Sequence, residues 1–208
     1  MAYRETAKTR NNRAARQGSI LDAALQLTAE RGFSGTTVAA IAELAGVAIG
    51  SVYRYFPNKA ELSSEVFRLA SGIELHKVAA ALTGNDTPTA RLAAAIRIFS
   101  WRAFKGRQLA YALIAEPTDP LVEADRLEYR KRYAALFSAV VQEGTASGDF
   151  PRQNVQLAAS AIVGALAESL IGPLAASIAE GRDRAAQLEW VEELVAFCLR
   201  AVGSNPAP

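Results

Sequence analysis

From Ala48 to Lys59 the chain reads AIGSVYRYFPNK, which brings together methyl, hydroxyl, phenol, guanidinium and ammonium groups with no acid among them. That set suits a polyanion with readable edges. Ile49 can touch a thymine methyl, and Ser51 can donate or accept at several base edges. Ala48 and Gly50 are small enough for a helix to come close to a groove floor. Arg54 fits a guanine or a phosphate. Tyr53, Tyr55 and Lys59, with the hydroxyls of Thr36 and Thr37, are groups that hold phosphates and so position a protein without reading sequence. With so few polar readers, part of any specificity is expected to rest on DNA shape. The alternative for Tyr53 and Tyr55 is packing inside the protein, and for Arg54 and Lys59 a solvated surface position.

The charge distribution points the same way. The formal net charge is only +2, yet residues 1–16 hold Arg4, Lys8, Arg10, Arg13 and Arg16 against the single acid Glu5. Residues 69–208 are balanced. Arg10, Arg13 and Arg16 can reach a DNA backbone or minor groove once ordered by it. Other chemistries lack their residues. With His76 as the only histidine, no Ser/His/Asp set is plausible, and neither a Gly-rich phosphate loop nor metal-ligand spacing occurs, so no enzyme and no cofactor is expected. The lone Cys198 excludes an intrachain disulfide and fits a reducing cytoplasm. No signal peptide and no uninterrupted apolar run of membrane-spanning length is seen, so a soluble cytoplasmic protein without membrane contact is expected.

These groups are set on helices. Apolar residues recur at helical spacing almost throughout, and no strand alternation is convincing, so the chain is all-α with about nine helices. The first is expected from about Ala14 to Arg31, with Gly32 as its C-terminal cap. Thr37 caps a second helix to about Leu44. Gly46 supplies a turn, and Val47 plugs the core beneath it. A third helix covers Ala48 to Tyr55, with Val52 and Phe56 buried, and two short helices about a Gly-containing turn form a helix-turn-helix. Pro57 stops the third helix, and Asn58 with Glu61 forms a capping box for a fourth helix to about Leu82. Pro88 opens a fifth, Gly106 separates it from a sixth, and Asp119-Pro120 caps a seventh that ends near Ser147. An eighth is expected from Asn154 to about Glu180, kinked at Gly172-Pro173, and a ninth from Asp183 to near Val202. The organisation is then a flexible basic arm (1–13), a helix-turn-helix domain (14–57), a ligand-binding and dimerisation domain (58–202) and a disordered tail (203–208).

Thr36-Thr37-Val38, Ile41-Ala42, Ala45-Gly46-Val47, Gly50-Ser51-Val52-Tyr53, Tyr55-Phe56 and Asn58-Lys59-Ala60-Glu61-Leu62 together resemble the tetracycline-repressor (TetR) family of transcription regulators. Ala23-Ala24, Leu27, Gly32 and Phe33 match that family's first helix. The resemblance covers about residues 14–66; beyond that it is one of architecture. It implies a homodimeric repressor whose first three helices bind double-stranded operator DNA, with phosphate contacts at Thr37, Tyr53 and Lys59. It also implies an effector pocket in the larger helical domain and a dimer interface on the last two helices. Ala40 and Ala48 depart from the commonest pattern, which places an acid and a Ser there; each loss costs about 1 kcal/mol of local stability.

For the pocket, the aromatics Phe99, Trp101, Phe104, Tyr111, Tyr129, Tyr133 and Phe137 cluster on the fifth to seventh helices, with His76, Arg102, Glu116 and Glu168 as polar candidates. The bland alternative is plain core. For the dimer interface, the eighth helix offers Ala158, Ala161, Ile162, Ala165 and Leu166, and the ninth Leu188, Val191, Leu194, Val195, Cys198 and Val202, which would form a four-helix bundle across a two-fold axis. The alternative is burial within the monomer. An unidentified, largely apolar effector is expected to shift the fourth helix, which carries the head, and so to release the operator. Activation instead of repression, or a helical adaptor that touches anions through Arg130-Lys131-Arg132, are the rival readings.

Overall fold

The computed structural model describes residues 7–175 and 184–204. Among them lie nine helices and no strand: α1 (Ala7–Arg31), α2 (Val38–Leu44), α3 (Ile49–Tyr55), α4 (Lys59–Ala81), α5 (Pro88–Lys105), α6 (Arg107–Ile114), α7 (Pro120–Ser147), α8 (Val155–Leu174) and α9 (Arg184–Ala201). The all-α expectation holds.

Helix starts follow local chemistry. Thr37 accepts a hydrogen bond from the Ala40 amide at 3.2 Å, Asn58 from Glu61 at 2.8 Å and Asn154 from Leu157 at 3.1 Å. Ala48 has the extended backbone of an N-cap but no side chain to offer α3. Asp119, expected to cap α7, occupies the N-cap position without a side-chain bond. α1 starts at Ala7 rather than near Ala14, so residues 7–13 extend the helix in place of an arm. At the other end, the amides of Gly203 and Ser204 bond the carbonyls of Arg200 and Leu199, both at 2.9 Å, a paired C-terminal closure that orders the first two residues of the expected tail. The expected junction of the eighth and ninth helices at 176–183, residues 1–6 and residues 205–208 lie outside the described ones. Pro173 sits in the last turn of α8, which ends one residue later.

Gly46, at φ +64°, turns the chain between α2 and α3, whose axes bend by 101°. The head they form with α1 does not have a private core. Ile20, Leu27, Phe33, Ile41, Val52 and Phe56 pack in one cluster with Leu62, Val66 and Phe67 of α4, Ala112 of α6 and Val122 and Tyr129 of α7. The body has its own centre around Phe137, Ile96, Ile162, Leu166 and Cys198. A third cluster joins Phe104 to Leu170, Leu174 and Val191. By length and composition α8 qualifies as a membrane span, which its Ser, Glu and Gly had argued against; in the fold it packs against α5, α6, α7 and α9.

Two outcomes follow. Ala48→Ser supplies the missing cap and is expected to stabilise the protein by about 1 kcal/mol, read from the denaturant midpoint; no gain would mean that the end of α3 is satisfied by other groups. Cys198 has no exposed surface and burial pushes its thiol up to about 11. The native protein should therefore resist a disulfide thiol reagent at pH 8 and react only once denatured.

Candidate functional site

α3 is held by its inner face. Val52 and Phe56 are buried in the head core, which turns the opposite side of this two-turn helix outward. Ile49 and Tyr53 are each 48% exposed, one turn apart on the same outward side. Ala48, Gly50 and Arg54 are exposed and Ser51 half-buried beside them. A cleft runs from this face to α1, lined by Arg13 and Arg16, the α2–α3 turn, Arg54 and Tyr55. Three guanidinium groups thus border one concave, solvent-open surface. The side chain of Arg10 lies outside the described ones.

Three of the residues singled out for DNA contact also have partners within the chain. Thr36 is buried and its hydroxyl donates to the Gly32 carbonyl at 2.7 Å, so it closes the α1–α2 turn and cannot face a duplex. Lys59 directs its ammonium to the Phe33 carbonyl at 3.1 Å. Tyr55 is half-buried against the head core while still edging the cleft. Thr37, exposed at the start of α2, Arg16, Ala48, Ile49, Gly50, Ser51, Tyr53 and Arg54 stay on the open side.

Inside the body lies an apolar cavity of about 80 Å³ between α4, α5, α7, α8 and the end of α6. Phe99, Tyr129, Tyr133 and Phe137 line it, as expected. Phe99 and Tyr133 meet edge to face at 5.6 Å, and burial together with Glu74 holds the Tyr133 phenol far above its ordinary range. A second cavity of about 70 Å³ lies beyond Glu74, Phe99, Leu113 and Ile114, which line both. There Arg102 grips Glu74 through two bonds of 2.5 and 2.7 Å.

Other pocket candidates fall elsewhere. His76 and Glu168 are exposed. Phe104 and Tyr111 pack in the α5–α8 core, and Trp101 lies under the Arg184 guanidinium at 5.5 Å. Glu116 turns away from the cavity. Its carboxylate accepts the Phe33 amide at 2.9 Å, the Ser34 amide at 2.8 Å and the Ser34 hydroxyl at 2.7 Å, all on the α1–α2 turn. Sequence reasoning missed Phe67, Ser71 and Glu74, and also Arg126 and Arg130. Their spacing was a usable signal: 67, 71 and 74, and 126, 129, 130, 133 and 137, each trace one face of a helix.

The expected interface stripes divide. Ile162, Leu166, Val191, Leu194, Val195, Cys198 and Val202 are buried in the chain's own core and have no surface left for a partner. Ala158 and Ala165 are half-buried and Ala161 is exposed. The large apolar side chains left open on α8 and α9 are Leu157, Leu188 and Phe197.

A bare recognition-type helix on a basic head, joined to a helical body with an internal cavity, matches known proteins along most of its length. The family model described as "Bacterial regulatory proteins, tetR family" matches residues 20–66, and that described as "Tetracyclin repressor-like, C-terminal domain" matches residues 85–170. The chain is 30% identical over 155 residues to the fatty acid metabolism regulator protein of Bacillus subtilis, spanning 73% of this chain and 79% of that one. It is 28% identical over 144 residues to the HTH-type transcriptional repressor KstR2 of Rhodococcus jostii, spanning 67% and 70%. Among solved structures, the fatty acid degradation regulator FadR from Bacillus halodurans superposes with a TM-score of 0.75 at 25% identity over 88% of this chain and 94% of that one. FadR from Bacillus subtilis in complex with stearoyl-CoA has the same fold, with a TM-score of 0.74 at 23% identity over 91% and 99%. With the head, the body and these relatives in agreement, the chain belongs to the tetR family of bacterial regulatory proteins and is a ligand-responsive, helix-turn-helix transcriptional regulator, not an enzyme.

Proposed function

We propose that the protein is a cytoplasmic repressor that binds a quasi-palindromic operator as a homodimer and is released by a long-chain acyl thioester. The observation that carries the DNA half is the uncovered outer side of α3, where Ile49, Gly50, Tyr53 and Arg54 are exposed and Ser51 is half-buried beside them. Ile49, Gly50 and Ser51 face bases in this reading, while Thr37, Tyr53 and Arg16 hold phosphates on either side. Leu157, Ala161, Leu188 and Phe197 form the partner-facing surface of α8 and α9, so that two heads present themselves to successive major grooves about one helical turn apart.

The effector class rests on the cavity's chemistry. Its walls are mostly aromatic and aliphatic, which favours a hydrocarbon chain. Arg130 and Val163 line both this cavity and an open groove between α7 and α8 that also contains Lys131. An apolar tail inside and phosphates outside, against Arg130 and Lys131, would satisfy both parts. That is the shape of an acyl-CoA, and a similar fold carries stearoyl-CoA in the Bacillus subtilis structure. A cavity of about 80 Å³ is far below the roughly 300–1,000 Å³ of ordinary ligand sites, so binding must push its walls apart. Displacement of helices that support the head then lowers operator affinity; a coupling of about 1–3 kcal/mol is enough for a 5- to 150-fold change.

Binding of the purified protein to the intergenic DNA upstream of its own gene, followed by fluorescence anisotropy, tests this. Affinity should fall steeply with salt, and Arg54→Ala should weaken it about tenfold, or about 1.4 kcal/mol. Stearoyl-CoA at micromolar concentration should release the DNA, whereas free stearate, without phosphates for Arg130 and Lys131, should do so much less well. Indifference to every acyl-CoA chain length would remove the effector assignment. Separately, Phe197→Asp should shift the sedimenting species from dimer to monomer.

A further inference from the structure

We propose that Glu116 is the residue by which the body fixes the orientation of the DNA-binding head, and that Arg126 connects it to the cavity. The inference goes beyond the regulator reading above and rests on it only for its effector arm.

The head is joined to the body covalently at one place, the Pro57–Asn58 link into α4. The shared apolar packing on α4, α6 and α7 adds to this link but is non-directional. The Glu116 carboxylate adds a directional attachment, bridging from the end of α6 to the α1–α2 turn through three donors, two of them backbone amides. Glu116 is buried and forms no ion pair among the described residues, so these donors are what hold the charge. Helix polarity does not explain its position. The C-terminal end of α1 is the negative end of that helix, where a carboxylate is disfavoured unless donors are aimed at it. Gly32 makes room for it. A Cβ on Gly32 would lie 2.6 Å from the Glu116 oxygen Oε2, and the residue's φ of +73° suits glycine in any case. Lys59, at the first turn of α4, holds the same turn through the Phe33 carbonyl. The turn is therefore gripped from α4 and from α6 at once.

The cavity touches this grip through Arg126. Its buried guanidinium donates to the carbonyls of Ala112 at 3.1 Å, Leu113 at 3.0 Å and Glu116 at 2.8 Å, knotting the end of α6. The same side chain lines the cavity, as do Leu113 and Ile114, three and two residues ahead of Glu116. A ligand that widens the cavity must move these walls, and Glu116 stands at the end of the piece that moves. The carboxylate then leaves its three donors or carries the α1–α2 turn with it; either changes the aim of α3. This is a two-state contact that both sites bias.

The test uses the full-length protein with spin labels at Asp22→Cys in the head and Ala146→Cys in the body, both exposed positions. Labelled subunits are diluted with unlabelled protein so that each distance is within one chain. The native protein should give one narrow distance. Glu116→Gln, which sets an amide NH2 among N–H donors, should broaden or shift it and weaken operator binding about tenfold. Ser34→Ala, which removes only the hydroxyl, should do the same to a lesser degree. Stearoyl-CoA should release operator from the native protein but change operator affinity of Glu116→Gln by less than about threefold, while its affinity for the DNA-free protein stays within about twofold. An unchanged distance and an unchanged stearoyl-CoA effect in Glu116→Gln, with only a lower denaturation midpoint, would overturn the proposal. If Glu116→Gln proves poorly folded, the graded Ser34→Ala distances decide alone, and no change there also overturns it. A native protein indifferent to stearoyl-CoA removes the acyl effector, and the distance measurement still settles Glu116.

Discussion

A head whose second and third helices are seven residues each cannot bury enough surface to stand alone. Its core is completed from outside, by Leu62, Val66 and Phe67 on α4, Ala112 on α6 and Val122 and Tyr129 on α7. That shared packing is the constraint from which the rest follows. It makes the placement of α3 a property of the body, since any movement of α4, α6 or α7 is felt in the layer that supports Val52 and Phe56. A DNA-binding unit stabilised this way is regulated by construction, because the elements that keep it folded also wall the cavity.

Polar and ring contacts between α4 and α7, the two longest helices under the head, reinforce this packing. Tyr129 hydrogen-bonds the Arg68 carbonyl at 2.8 Å and packs edge to face on Phe67, while Ser64 bonds Asp125 at 2.5 Å. α4 and α7 are thereby fastened along the half nearest the head. α4 is therefore not the head's sole support: it is fastened to α7, and the end of α6 reaches the head separately through Glu116. The cavity lies where these three helices converge.

Of the charged groups at the two cavities, Glu74, Arg102 and Arg126 are already engaged. Arg102 is paired with Glu74, and Arg126 is spent on three backbone carbonyls. A ligand therefore meets mainly hydrocarbon and ring surface and finds charge only near the mouth, at Arg130. Burial of apolar surface would supply the affinity and the mouth would select the headgroup, a division common in ligand sites.

Much of this was legible from residue order. Helical period marks each element, Gly46 and Pro57 punctuate the head, and Asn58, Thr37 and Asn154 announce helix starts, because these are local effects that act within one turn of chain. Ile49, Tyr53 and Arg54 followed from the same logic, since burying Val52 and Phe56 forces the other side of a short helix outward. What the sequence did not contain was the partner of each face. The stripes on α8 and α9 were visible, but whether Ile162, Leu166 and Val195 met their own chain or a second copy depends on packing with α5 and α7, and they met their own chain. Glu116 looked like a cavity acid from its aromatic neighbours, and nothing near Lys59 in the sequence names its partner within the chain; both converge on the α1–α2 turn, from positions 82 and 26 residues away in the chain. Period and capping are written in neighbouring residues, so the sequence determined the helices and the reading face. Pairings across such separations are chosen by how all nine described helices pack together, so only the tertiary structure decided which buried groups hold the head to the body.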